Sequence, residues 1–267
     1  MRIFVGFATL ALFPAARKPV DGSSWAGVFL LAALWFAFPL SMFPFAEQRV
    51  SSALTGMLNA VTPLFAAIVA TVIARKLPSS QVTFGLLTGI SGSVLIALPS
   101  IHEGRSSTFG VVLILLACAS YGFALNFARP LQQKHGALPV TWRALGIASL
   151  LTAPLGLPEV AAANWKLTPL LSLLTLGAMG TGIAFVLVGI AAGKVGATRA
   201  ASTAFLIPPI SLLLGVVVRG ERVALLSIIG SAICVAGAWM IRPRPAKPAT
   251  KTQSELIEYQ HCAATRN

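Results

Sequence analysis

Two stretches set polar side chains beside prolines within otherwise apolar sequence, one from Asn59 to Pro63 and one from Ser202 to Pro209. In a helix, proline removes one backbone hydrogen bond and collides with the carbonyl four residues earlier. Pro63 therefore frees the carbonyl of Asn59, Pro208 that of Ala204, and Pro209 that of Phe205. In a bilayer such freed groups are tolerated only where protein, water or a bound molecule satisfies them. Asn59 adds a side-chain amide one turn before the kink, and Thr62 adds a hydroxyl. This chemistry suits reversible hydrogen bonding to a small polar molecule.

Tyr121, Asn126, Thr181 and Ser202 are further polar groups within apolar runs. For each Ser or Thr, hydrogen bonding between helices is the alternative use. Tyr121 and Asn126 are larger and cost more to bury, so they are the stronger candidates. Trp35 is expected to pack or to line the same cavity, while Trp25, Trp142 and Trp165 suit the interfacial belt.

Covalent chemistry finds no support in the residues. Intramembrane hydrolysis needs a Ser–His pair, paired aspartates or two histidines on one helix. His102, His135 and His261 all fall outside the apolar runs. The stretch 189–196 resembles a phosphate loop, but Val195 stands where Ser or Thr must follow the lysine. Cys118 and Cys234 lie in apolar runs and Cys262 in a polar tail, which suits small apolar residues better than a disulfide framework. The expectation is no enzyme, no metal and no cofactor.

The elements that must position these groups are visible in the charge distribution. Hydrophobic residues make up 56% of the 267 and charged ones 10%, against roughly 25% charged in soluble domains. The runs 3–16, 22–46, 50–74, 77–102, 106–128, 144–158, 167–193, 200–218 and 223–241 contain no charge. A helix crosses the hydrocarbon in about 20 apolar residues. The pattern predicts an all-α membrane protein, a polytopic bundle of about nine transmembrane helices. The run at 144–158 reaches that length if it starts near Leu138 and tolerates Arg143. The net charge of +13 sits in short inter-helix stations, so it reflects topology and not a nucleic-acid face.

Positive residues favour the cytoplasmic side. Arg17, Lys18, Arg75, Lys76, Lys134 and the basic tail 244–267 share one face under alternate crossing, which places the C-terminus in the cytoplasm. None of the seven acidic residues falls within a charge-free run, and Glu47 and Glu221 mark helix ends. Ion-driven carriers often hold an intramembrane carboxylate. Downhill export or exchange therefore stands beside proton coupling.

Residues 50–98 align with 195–243 without a gap, at an offset of 145. Pro63 meets Pro208, Gly85 meets Gly230 and Gly92 meets Gly237. The second half (100–243) offers five spans and the first (1–99) four, so the first half lacks a helix at its N-terminal end. A cleaved signal peptide over 1–16 is the competing explanation. Units of five crossings insert in opposite senses, and inverted repeats are a feature of secondary transporters with midplane sites. Gly85, Gly89 and Ser93 recur every fourth residue and offer a close-packing face, within the bundle or in a homodimer.

The stretches AEQRVSSALTGMLNAVTPLFAAIVATVIARKL, GKVGATRAASTAFLIPPISLLLGVVVRGERV and IIGSAICVAGAWMI resemble the EamA-type exporters of the drug/metabolite transporter superfamily. That resemblance implies a ten-helix inverted repeat with a central cavity, here apparently without its first helix. It also implies a proline in each half's fourth helix and an acidic residue at that helix's end. Glu221 matches the acidic position, whereas Lys76 departs from it. The implied function is export of small metabolites or drugs, amino-acid-like or amphipathic, across the cytoplasmic membrane. The alternative is a non-transporting membrane protein, a truncated remnant or assembly partner.

Overall fold

The computed structural model describes residues 1–50, 52–101, 107–162, 166–219 and 224–242. Among these the chain forms nine main helical segments, a 3-10 turn at Pro14–Arg17 and no strand. They are α1 (Arg2–Ala11), α2 (Gly22–Glu47), α3 (Ser52–Asn59 and Thr62–Ala74), α4 (Ser80–Ile101) and α5 (Thr108–His135). There follow α6 (Ala137–Ala162), α7 (Leu167–Val195), α8 (197–219) and α9 (Leu225–Ile241). Five segments are long and apolar enough to cross a membrane, and α1, Ser80–Ile96 and α9 are shorter apolar helices. Glu221, Trp165 and the tail 244–267 lie outside the described residues.

Charge-poor sequence explains the helices, and two glycines explain their joints. Gly136 and Gly196 have φ of 85° and 91°, a region that side-chain-bearing residues rarely adopt. Each amide closes the preceding helix, Gly136 on Gln132 and Gly196 on Ala192. These joints turn α5 into α6 and α7 into α8 with almost no loop. Helix α6 thus starts at Ala137, and Arg143 falls inside it. Its guanidinium reaches back to the carbonyls of Ala16 (3.1 Å) and Pro139 (3.2 Å). That is how a charge survives within the span.

The repeat predicted at offset 145 is real in space, and it is inverted. Helices α4 and α9 pack antiparallel along a small-residue seam. A β-carbon built on Gly92 would sit 2.7 Å from the Gly230 carbonyl oxygen, and one on Gly85 3.1 Å from that of Gly237. The pairs are reciprocal, because Gly230 and Gly237 are the offset mates of Gly85 and Gly92. Ser227 donates to the Ile96 carbonyl at one end of the seam and Gln81 to that of Met240 at the other. The small-residue face is thus filled by α9 of the same chain.

The same symmetry governs the centre. Helix α1 packs on a wide π-helical stretch of α7 (Ala178–Ile183), and its counterpart α6 packs on a π-helical stretch of α2 (Ala32–Ala37). The symmetry fails at one place. Helix α5 covers α3, whereas no described helix covers the matching face of α8. Thr62 and Val69 are each 6% exposed, but their mates Ile207 and Leu214 are 49% and 54% exposed.

Candidate functional site

Helices α3 and α8 depart from α-helical geometry at the two polar proline-bearing stretches. Helix α3 is interrupted between Asn59 and Thr62, and α8 narrows to a 3-10 turn over Ser202–Leu206 before Pro208. At the first break the Thr62 hydroxyl donates to Asn59 Oδ1 at 3.2 Å. The Cys118 thiol on α5 approaches the Leu58 carbonyl at 3.6 Å. Part of the polarity at the kink is therefore absorbed locally, and Asn59 is among the residues that line a central cavity.

That cavity has a volume of about 660 Å³ and is open to one face. Its wall combines the start of α1 (Arg2, Ile3), the end of α2 (Leu40 to Glu47), and Thr55, Gly56 and Asn59 of α3. Tyr121 of α5, Thr152 and Leu155 of α6, and Leu176 of α7 complete it. Apolar surface predominates, with a few convergent polar groups, as in sites for small molecules.

The opposite end is shut. Along the same helices, residues farther from the opening form one packed core that includes Leu10, Val28, Leu31, Trp35, Phe36, Leu125, Val140 and Leu145. Beyond it, Lys134 pairs with Asp21 at 2.8 Å, and His135 Nε2 lies 2.8 Å from the Ser24 hydroxyl. Gln133 donates to the Gly193 carbonyl at 2.7 Å. The hydrogen bond and charge of Lys134 hold the Asp21 carboxyl below its ordinary value.

The structure distributes the expected site residues among three places. Asn59 and Tyr121 line the cavity, and Pro63 with buried Thr62 forms the kink behind Asn59. Trp35 lies in the floor, 1% exposed, with its ring edge against Phe185 at 5.5 Å. Asn126 spends its amide hydrogens on the carbonyls of Ala66 (3.0 Å) and Gly122 (2.9 Å), which tie α5 to α3. Ser202 donates to the Arg199 carbonyl, and Pro208 follows the 3-10 turn of α8 away from the wall. Thr181 is fully buried and receives a hydrogen bond from Arg2 Nε at 2.6 Å.

Arg2 and Glu47 line the wall as well, although neither belongs to the polar groups expected there from the sequence. They flank charge-free runs, which is also how topology anchors look. Their inward placement depends on where α1 meets α7, and no local signal announces that.

An all-helical inverted repeat around a one-sided cavity with a few convergent polar groups is the architecture of a membrane transporter of the two-bundle type. Residues 108–242 match the EamA-like transporter family, and the chain belongs to it. It is similar to the uncharacterized transporter YdfC of Bacillus subtilis, 28% identical over 88% of this chain and 78% of that one. It is also similar to a probable terminal-alkyne amino-acid exporter of Streptantibioticus cattleyicolor, 27% identical over 74% of this chain and 66% of that one. A solved crystal structure shares the fold with a TM-score of 0.72 at 17% identity, covering 90% of this chain and 85% of that one.

Proposed function

We propose that this transporter exports small amino-acid-like or amphipathic metabolites across the cytoplasmic membrane by alternating access. The observation that carries the reading is the cavity of about 660 Å³, open at one face and closed at the other by packed core and polar ties. With the C-terminus in the cytoplasm, the open face is extracellular and the structure is outward-open. The proposed units are residues 1–99 and 100–243, with 244–267 as a cytoplasmic tail. The relative named as a probable terminal-alkyne amino-acid exporter supports a substrate of that size and polarity.

Reconstitution into vesicles with labelled amino acids and cationic drugs tests the reading. Uptake or counterflow of at least one compound is expected. Asn59→Ala should slow it several-fold, because a wall amide is lost from a site with few polar groups. A carrier that moves none of them refutes the assignment.

A further inference from the structure

A charged side chain within a membrane bundle is costly and turns to a water-filled cavity or a partner. Arg2 meets this rule without a counter-ion at contact distance. Among the described residues, its one hydrogen bond runs from Nε to Thr181, and no carboxylate lies within 4.0 Å of it. Thr181 is itself anchored on the Leu176 carbonyl at 3.2 Å. The guanidinium is thus held by one nitrogen beside the cavity, with its terminal nitrogens unspent. Glu47, at the end of α2, lines the same cavity. The same cavity is lined by the apolar side chains of Leu40, Phe43 and Leu155.

We propose that Arg2 is the carboxylate-reading residue of this cavity and Glu47 its ammonium-reading residue, so that the site selects zwitterions with an apolar side chain. This deepens the transport reading and rests on it. Guanidinium matches a carboxylate with two parallel donors, which an ammonium cannot do. Thr181 orients that fork and belongs to the π-helical stretch of α7. A ligand of single charge would leave one of these two wall charges without its partner, and that unmet contact disfavours it. The cavity volume exceeds what a free amino acid needs, leaving room for water around the poles.

The test uses the full chain in vesicles and three labelled probes with one carbon skeleton: leucine, leucine methyl ester and 4-methylpentanoate. Wild type should prefer leucine to each of the others by about tenfold, the order of one charged hydrogen-bonded contact. Arg2→Gln should abolish the preference over the ester alone. Glu47→Gln should abolish the preference over 4-methylpentanoate alone, and Arg2→Lys should restore part of the first. Equal handling of all three by wild type overturns the inference, as does an Arg2→Gln protein that still rejects the ester. Transport of a cationic drug with no selectivity among these probes overturns the inference and leaves the transport reading standing. Absence of any transport overturns both.

Discussion

Cys234 lies 145 residues beyond Gly89, and its thiol stands 3.4 Å from the Gly89 carbonyl oxygen. The separation equals the repeat offset, so a residue touches its own counterpart. Such a contact forms beside a two-fold axis, and the reciprocal Gly85–Gly237 and Gly92–Gly230 approaches run out from it on either side.

The seam should resist added volume. A β-carbon on Gly237 would sit 2.5 Å from the Gly89 backbone nitrogen, whereas one on Gly22 meets nothing within 4 Å. Gly237→Ala is expected to cost about 1–3 kcal/mol through overpacking, and Gly22→Ala far less. Thermal unfolding in detergent checks the contrast.

The joints predict a second cost of different origin. Gly136 and Gly196 combine positive φ with ψ of 152° and 162°, a region nearly confined to glycine. Gly136→Ala should lose about 1–3 kcal/mol by backbone strain, with ligand binding retained in the folded fraction. Unfolding and binding curves on one sample separate the two.

Trp35 offers a division between floor and wall. Its burial against Phe36 and Phe185 means Trp35→Ala opens a void and costs about 3–5 kcal/mol. Stability should drop while the KM of surviving protein stays within twofold. A large rise in KM with unchanged stability would place the ring in the wall.

The Asp21–Lys134 tie predicts a pH dependence. The folded carboxyl value lies below the unfolded one, about 3.9, so its contribution is present above that value and lost as pH falls through the folded one. Asp21 is exposed, so the contribution is small. Wild type should melt slightly above Asp21→Asn at pH 7, and the gap should close in strong acid.

The helices were legible because charge is excluded over most of each apolar run, and the repeat because prolines and glycines recur in register. The start of α6 near Leu138, with Arg143 inside the span, is as the length argument required, and the Arg143 side chain reaches back to the Ala16 carbonyl from inside the helix. The π-helical stretches have no sequence mark, since a widened turn slips periodicity by one position without changing residue types. Asn59 was readable through its proline. Asn126 and Ser202 have polarity like that of Asn59, but neighbouring carbonyls take it up, and which carbonyl lies near is settled only by tertiary packing. Arg2 was hidden for the same reason, since its partner Thr181 comes from α7.

Carrying the wall of α3 across the repeat gives an uneven pair of doorways. Thr55, Gly56 and Asn59 map onto Ala200, Ala201 and Ala204, and the first two of these alanines are buried on the shut side. If the halves trade shapes, the vestibule formed there is lined by methyl groups where the other offers an amide and a hydroxyl. Cargo would dwell at one mouth and slip through the other, a built-in bias between entry and exit that comes from sequence divergence within a shared scaffold.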